Sequence, residues 1–372
     1  MGVKYLNTLI KNKAPNALKY VTLSSYAGKT IVIDTSIYMH KYLASNSLME
    51  SMYFMMAQFK YLKITPIFVF DGCAPEEKRG TLNAREAVRQ NAMQKYHELQ
   101  EQRITTLPSL SLSLSVSVYE EEELMQKKMQ LLKRRFLRVT GSEVNDLKRL
   151  MREYGIQYIE CDTESDMICA YLVKSGIANA CMSDDMDMFV YGCPVVLRDV
   201  NIWHGTGIEY TLSTILNGLG VSMRGFRMAC VLSGTDYTYT YRYNGYSSGT
   251  DEVRIKFYLS NLVKNYCEYT ELEPKSNESD KINADAFTFD TAFYEWVVDA
   301  HKKQVSTTTM SLFEKAYSIF STEPSAEMKE YLKLKCEGQS TDSFKDDRNS
   351  NTHEMPHKVK RIMAKYNFIY IT

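Results

Sequence analysis

The sequence carries no excess of charge: Lys and Arg number 45, Asp and Glu 45, and the formal net charge is zero. A neutral total neither supports nor excludes a nucleic-acid partner, because carboxylates that cage metal and cations that grip phosphates also cancel. The distribution of charge decides. No run of 18 apolar residues occurs, so no helix is expected to span a bilayer and a membrane is not an expected partner. The N-terminal stretch MGVKYLNTLIKNKAP has no apolar h-region and no small-residue cleavage site, which argues against secretion. Leu6 stands where a myristoylation signal wants Ser or Thr. None of the eight cysteines forms a C-x-x-C pair, so a zinc knuckle is not expected. The plain expectation is reduced, mostly buried thiols in a nuclear or cytoplasmic protein. No repeat of 20–50 residues is present. What is there is ordinary globular composition, 44% hydrophobic and 24% charged over 372 residues. That length suits one large domain or two ordinary ones, with ample core.

The first clear element is KTIVID, Lys29 to Asp34, a β-branched run ending in an acid, as a buried parallel strand would. A helix follows with Thr35 or Ser36 near its N-cap, then another from Leu48 to Leu62. Pro66 opens a second strand, PIFVFDG, ending at Asp71. Strand–helix–strand units of this length imply a parallel α/β sheet. Glu76 to Arg103 reads as a long polar helix. PSLSLSLSVSV, Pro108 to Val118, alternates Ser with Leu or Val, and period two favours a strand or ribbon. The next stretch, EEEELMQKKMQLLKRRFLRV, has acids first and cations last, matching a helix dipole. A further helix is expected with Ser142 as N-cap and Gly155 as its stop. Strands are then expected over Gln157–Cys161, Asn179–Ser183 and Pro194–Val200, with helices over Glu164–Lys174, Thr211–Leu219 and Ser222–Leu232. Beyond Tyr237 come a Tyr/Gly-rich loop or hairpin, an acidic connection over 271–285, helices near Phe287–Ala300 and Ser311–Phe320, and a disordered-looking stretch over 337–357.

Seven carboxylates share one kind of position. Asp34 and Asp71 end strands, Glu164 and Asp166 open a helix, Asp185 and Asp187 follow a strand, and Asp236 follows a helix in SGTDY. In an open parallel sheet the strand C-termini share one edge, where ligands bind. Clustered acids repel one another unless cations neutralise them. Oxygen donors without His or Cys select Mg²⁺ or Mn²⁺ over zinc. Any single strand-end Asp is most often a helix cap or turn residue; a shared metal site accounts for all of them together.

These residues carry a resemblance. MGVKYLNTLI, GKTIVIDTSIYMHKYL, PIFVFDGCAPEEKRGTLNAR, ESDMICAYLVKSG, SDDMDMFVYG and VLSGTDY resemble, in order and spacing, the flap endonuclease family of XPG-type structure-specific 5′ nucleases. The resemblance covers most of residues 1 to 240. It implies a PIN-like α/β fold with a central, mostly parallel sheet flanked by helices, a helical arch insertion and a diverged, mainly helical C-terminal region. The nuclease domain would span 1–240, with an N-terminal part over 1–105, the arch and insert over 76–140 and an internal part over 141–240. An accessory region would span 241–372. The implied activity is hydrolysis of DNA phosphodiesters at single-strand/double-strand junctions such as 5′ flaps, in replication, repair or recombination. Two Mg²⁺ ions about 4 Å apart would serve it, with Mn²⁺ as a substitute. By the same resemblance Asp34, Asp71, Glu164 and Asp166 match the ligands of one metal, and Asp185, Asp187 and Asp236 those around the second. Lys78 and Arg85, seven residues apart on one helix face, match arch cations that stabilise charge on the scissile phosphate. Their plain alternative is a solvated helix face. Lys128, Arg134, Arg135 and Arg138, with Lys127 and Lys133, would bind DNA backbone. Gly2 resembles the family's processed N-terminal glycine, close to DNA. Tyr38 or His40 could stack on an unpaired base, or be half-buried core and exposed polar residue respectively.

The sequence also departs from the family. Its helix–two-turn–helix normally carries a G-x-G-P-K run that holds duplex phosphates through potassium, whereas TYTYRYNGYSSGTDEVRIKF has none. No Q-x-x-L-x-x-F-F sliding-clamp box occurs near the C-terminus. Such divergence would suit a fast-evolving lineage such as a large DNA virus, acting in the host-cell compartment. The expected partner is branched or 5′-ended DNA, and the expected state a monomer. A 5′→3′ exonuclease on DNA or RNA, and a catalytically silent DNA-binding scaffold, are the alternatives; retained acids speak against the scaffold, since scaffolding gives no reason to keep so much like charge together.

Overall fold

A computed structural model of the chain describes residues 2–110, 116–238, 258–272, 288–300, 307–337 and 357–366. The elements run, in chain order, α1 (Leu6–Lys13), β1 (Leu18–Thr22), β2 (Thr30–Asp34), α2 (Thr35–Ala44), α3 (Leu48–Tyr61), β3 (Thr65–Phe70), α4 (Arg79–Leu110), α5 (Val116–Phe136), α6 (Gly141–Glu153) and β4 (Tyr158–Glu160). Then come α7 (Ser165–Lys174), β5 (Ala180–Met182), α8 (Asp187–Val190), β6 (Val195–Asn201), β7 (Thr206–Thr211), α9 (Leu212–Leu219) and α10 (Met223–Ser233). The C-terminal helices are α11 (Leu259–Leu272), α12 (Thr291–Ala300), α13 (Thr307–Ser321), α14 (Ala326–Glu337) and α15 (His357–Ala364).

The strands form one sheet of seven, in the order β1-β7-β6-β5-β2-β3-β4. The run from β6 to β4 is parallel, while β7 and β1 add an antiparallel edge. In β2 the side chains of Ile31 and Ile33 enter one core cluster and that of Val32 enters the other. A strand buried on both faces therefore needs the continuous apolar run that TIVI supplies. One layer holds α1, α7, α9 and α10. The C-terminal helices extend it, with Phe293, Phe313, Tyr317 and Phe320 buried in the same cluster. The other layer holds α2, α3, α6 and α15. Helix α15 brings Val359 and Met363 against this second core, and Tyr366 just beyond it donates to Asp146 on α6 at 2.6 Å. Residues on both sides of 240 thus contribute to one core.

Several expectations need correction. Residues 108–110 belong to α4 and 116–118 to α5, not to a strand. The Ser/Leu alternation would need a neighbouring strand to satisfy its backbone. These segments sit on a helical projection away from the sheet, where only an intrahelical ladder satisfies it; residues 111–115 lie outside the described residues. The cap of α6 is Thr140, not Ser142. Its side chain accepts from Glu143 N–H at 3.2 Å while the Glu143 carboxylate accepts from Thr140 N–H at 2.7 Å, a complete capping box. Gly155 closes the same helix with φ of +73°. Strands β1 and β7 were not expected. The Tyr/Gly-rich segment after Thr238, most of the acidic connection, and the stretch over 338–356 lie outside the described residues. Among the described residues no helix is long and apolar enough to cross a membrane.

Candidate active site

The C-terminal ends of β2, β3, β4 and β5 point to one edge of the sheet, and six of the acids gather there because each follows one of those strands or opens the next helix, while Asp236 comes from the turn after α10. Asp34, the last residue of β2, is buried and accepts a hydrogen bond from Ser183 Oγ at 2.9 Å. Burial first, and the charge of Asp71 next, push its carboxyl up to about 8. Asp71 follows β3 and accepts from Ser165 N–H at 2.7 Å, so it caps the first turn of α7 from outside. Glu164 precedes that helix and Asp166 lies in its first turn. Desolvation, followed by the charges of Asp34, Asp185 and Asp71, raises Asp166 well above the carboxylate range.

The loop after β5 supplies the second group. Asp185 takes a backbone bond to Ser183 Oγ at 3.1 Å and accepts from Asp187 N–H at 3.0 Å. Asp187 is buried, and Val3 N–H donates to its Oδ1 at 2.8 Å. Burial, Asp185 and Asp236 raise its carboxyl well above the ordinary value. Gly2 sits directly against this pair. A Cβ there would meet Asp185 Oδ1 at 2.2 Å and Asp187 Oδ1 at 2.3 Å, and its φ is +77°. Only a glycine lets the chain pass so close.

Cations come from the base of α4 and the turn before it. Lys78 pairs with Glu164 Oε1 and lies 4.0 Å from Asp236 Oδ2, while Arg85 Nη2 donates to Asp236 Oδ2 at 2.5 Å. Burial, the largest single effect, would depress the Lys78 ammonium; the charge and hydrogen bond of Glu164, with the charges of Asp166 and Asp236, together outweigh it and raise it above the lysine range. Thr81 Oγ1 donates to the Asp236 carbonyl at 2.5 Å, tying α4 to the SGTDY turn. A cleft of about 1120 Å³ leads from these groups beneath the two long helices, lined by Gly2, Thr81, Arg85, Arg135, Arg198 and Asp236 among others. Helices α4 and α5 pack along each other, with Tyr96 and Phe136 edge to face at 5.3 Å and Met129 and Ala92 buried.

All seven acids, Lys78, Arg85 and Gly2 are therefore brought to one site. Lys128, Arg134 and Arg135 are exposed on α5, and Arg138, exposed just beyond it, lies 3.4 Å from Glu86 on α4. His40 is exposed on α2; desolvation lowers its proton affinity, the nearby Asp71 raises it, and Arg138 and Arg85 lower it further. Tyr38 is a correction: its side chain is fully buried in the second core cluster, so it packs the core and presents no face for stacking. A tyrosine one helical step from an apolar stripe carries no mark of which way it turns. Sequence reasoning also missed Ser183, which bridges Asp34 and Asp185, and Tyr237, which donates to Glu164 Oε2 at 2.5 Å. Both lie inside the acidic motifs, next to residues that were singled out.

Among the described residues no three acids close to the spacing of a finished metal cage. The donor set nevertheless fits a hard divalent cation. It consists of carboxylates alone, and the proton affinities of Asp34, Asp166 and Asp187 are raised by mutual repulsion and burial. A divalent cation relieves both.

Two models of one family match the chain: the XPG N-terminal domain over residues 1–92 and the XPG I-region over residues 155–236. The chain belongs to the XPG family. The two matched stretches contain every acid of the site, together with Lys78 and Arg85. Among curated proteins, this XPG-family chain is 28% identical over 284 residues to flap endonuclease 1 of Naegleria gruberi, covering 71% of this chain and 68% of that protein. It is 26% identical over 282 residues to the human flap endonuclease 1, covering 71% and 69%. With the Cryptosporidium muris flap endonuclease 1 it shares 29% over 270 residues, 65% of this chain but 53% of that protein. The matches thus span between about half and just over two thirds of the relatives' length. Among solved structures, the catalytic core of Rad2 in complex with DNA substrate superposes with a TM-score of 0.51 at 16% identity, covering 96% of this chain and 94% of that one. The mixed, mostly parallel sheet flanked by helices is therefore the fold of this family.

Proposed function

We propose that this chain is a divalent-metal-dependent 5′ nuclease that hydrolyses DNA phosphodiesters at single-strand/double-strand junctions. The observation that carries the proposal is the convergence of Asp34, Asp71, Glu164, Asp166, Asp185, Asp187 and Asp236 at one sheet edge. There Lys78 and Arg85 reach them from the base of the arch. Family membership supports the same chemistry, and the relatives named flap endonuclease 1 support the junction as substrate.

Asp34, Asp71, Glu164 and Asp166 would hold one Mg²⁺, and Asp185, Asp187 and Asp236 would surround the second. Bound there, Mg²⁺ supplies Lewis-acid activation of the attacking water and neutralises charge on the phosphate. The chain's own contribution is placement. Lys78 and Arg85 lie on a separate element from the acids, so they can leave their carboxylate partners for the oxygens of an incoming phosphate. There they stabilise charge that builds only in the transition state. Arg134, Arg135 and Lys128 on α5, and Arg138 just beyond it, face solvent and would follow the phosphates of a strand entering the cleft. Gly2 keeps the N-terminal backbone flat against Asp185 and Asp187. His40, exposed near Asp71 and Arg85, would meet the base next to the scissile bond. The nuclease unit would take residues 1–240, with the helices beyond as an accessory region.

The test is cleavage of end-labelled flap, nicked, blunt and RNA substrates in Mg²⁺ and in EDTA. Mg²⁺-dependent products at the junction of the flap, exceeding those from blunt duplex and RNA, are expected. Stepwise release of nucleotides from blunt or RNA ends, without junction products, would replace the proposal with an exonuclease.

A further inference from the structure

Behind Glu164 lie two phenols that the proposed chemistry does not use. Glu164 is held at both oxygens: Lys78 takes Oε1, and Tyr237 donates to Oε2 at 2.5 Å. The Tyr237 hydroxyl is in turn 2.7 Å from that of Tyr191, the residue that closes α8. Tyr237 has one proton and spends it on Glu164, so Tyr191 must donate to Tyr237 for the pair to be satisfied. Both rings are buried and meet Phe320 of α13 edge-on, at 4.8 Å from Tyr191 and 5.2 Å from Tyr237. Phenylalanine would pack against Phe320 just as well. A buried hydroxyl is costly unless it is bonded, and here the two are bonded only through a line that ends on Glu164.

We infer that Tyr237 and Tyr191 are positioning residues, a two-phenol relay that fixes the carboxylate of Glu164 and is braced by Phe320, so that the C-terminal helices set the geometry of the site. A carboxylate with only Lys78 to hold it would follow Lys78 when that cation turns to the phosphate. The second oxygen, anchored to the tyrosines, keeps Glu164 facing the other acids while Lys78 moves. The inference deepens the nuclease function proposed for these acids and rests on it.

The test uses the full chain with Tyr237→Phe, Tyr191→Phe, the double variant and Phe320→Leu. Four quantities are read: Mn²⁺ affinity by electron paramagnetic resonance titration without DNA, single-turnover rate on a 5′-flap duplex in Mg²⁺, flap affinity in EDTA, and Tm. Loss of a hydrogen bond to a charged group should lower the Tyr237→Phe rate about tenfold and weaken Mn²⁺ about threefold or more, with flap affinity in EDTA unchanged. Tyr191→Phe should show a smaller loss and add nothing in the Tyr237→Phe background, because the link to Glu164 is already gone. Phe320→Leu should reproduce the direction of Tyr237→Phe. Unchanged Mn²⁺ affinity and rate in Tyr237→Phe, or fully additive losses in the double variant, would overturn the relay. A parallel fall in Tm and in flap affinity would make the tyrosines mere core packing and overturn it as well. If the unmodified chain cleaves no substrate, the nuclease function fails by itself, and the Mn²⁺ titrations still decide whether the relay shapes the acids.

Discussion

Replacing Gly72 with alanine should be among the most damaging single-methyl changes near the site. Gly72 follows Asp71 in the FDG turn, and a Cβ there would stand 2.1 Å from the Cys161 carbonyl oxygen and 2.4 Å from the Asp162 carbonyl carbon and oxygen. All of these are backbone atoms, so no rotamer change relieves the contact; one segment must move. The turn is held by Gly72 N–H to Thr163 O at 2.7 Å and Cys73 N–H to Asp162 O at 2.9 Å. Shifting it weakens both bonds, at about 1 kcal/mol each, and the overpacking adds about 1–3 kcal/mol, for a loss of about 3–5 kcal/mol. The same shift pulls Asp71 from Ser165 N–H, so activity should fall with stability. Gly155→Ala is the control. Its φ is +73° but nothing lies within 4 Å, so only left-handed strain of about 1–2 kcal/mol is expected. Urea titrations of both variants, with unchanged m-values, measure the difference. A Gly72→Ala cost equal to or below that of Gly155→Ala would refute the argument.

Three other outcomes follow from the same geometry. Asp34 is buried with its carboxyl pushed up to about 8, whereas the unfolded residue ionises near the ordinary value of 3.8. Between those values the native state binds the extra proton, so in EDTA the stability contributed by this group falls as pH rises from about 4 to 8. Asp34→Asn should then gain stability at pH 8, by at most about 6 kcal/mol, and flatten the pH dependence; no gain at pH 8 in urea melts would contradict the account. Arg134→Ala combined with Arg135→Ala should weaken DNA binding and reduce the slope of log affinity against log salt by roughly 1–2, as fluorescence anisotropy at several salt concentrations can show; an unchanged slope would remove both from the phosphate track. Thr140→Ala should cost about 1 kcal/mol by loss of the α6 capping box, while Ser142→Ala should cost far less in thermal melts.

The parts of the molecule legible in the sequence are those where one local pattern has one physical cause. The run TIVID reads as a central strand because both of its faces are buried, and the acid that ends it reads as a site residue because parallel strands share an edge. Strand β1, LKYVT, is half-buried only at Leu18 and Val21 and exposed at its other positions, and among the described residues it pairs only with β7 at the sheet edge, so its sequence resembles a loop. Near Thr140, two candidate caps stand two residues apart. The Glu143 side chain chooses between them, through a hydrogen bond rather than a propensity. Tyr38 and His40 are equal candidates by spacing, and only the packing of α2 against the second core buries one and exposes the other. The bond from Val3 to Asp187 joins residues 184 apart, and that from Tyr237 to Glu164 joins residues 73 apart. Such contacts are properties of the folded chain, and no window along the sequence contains them.

The central claim is that the converging acids make a metal-dependent phosphodiesterase centre. It is tested most directly by single-turnover cleavage of a 5′-flap duplex by the unmodified chain and by Asp185→Asn, each in saturating Mg²⁺ and in EDTA, with flap affinity measured alongside. The account predicts Mg²⁺-dependent cleavage that Asp185→Asn reduces by at least about a hundredfold, some 2.7 kcal/mol of transition-state stabilisation, while flap affinity holds or improves because a charge that repels phosphate is gone. Cleavage that survives EDTA, or Asp185→Asn turning over at the unmodified rate in saturating Mg²⁺, would contradict it.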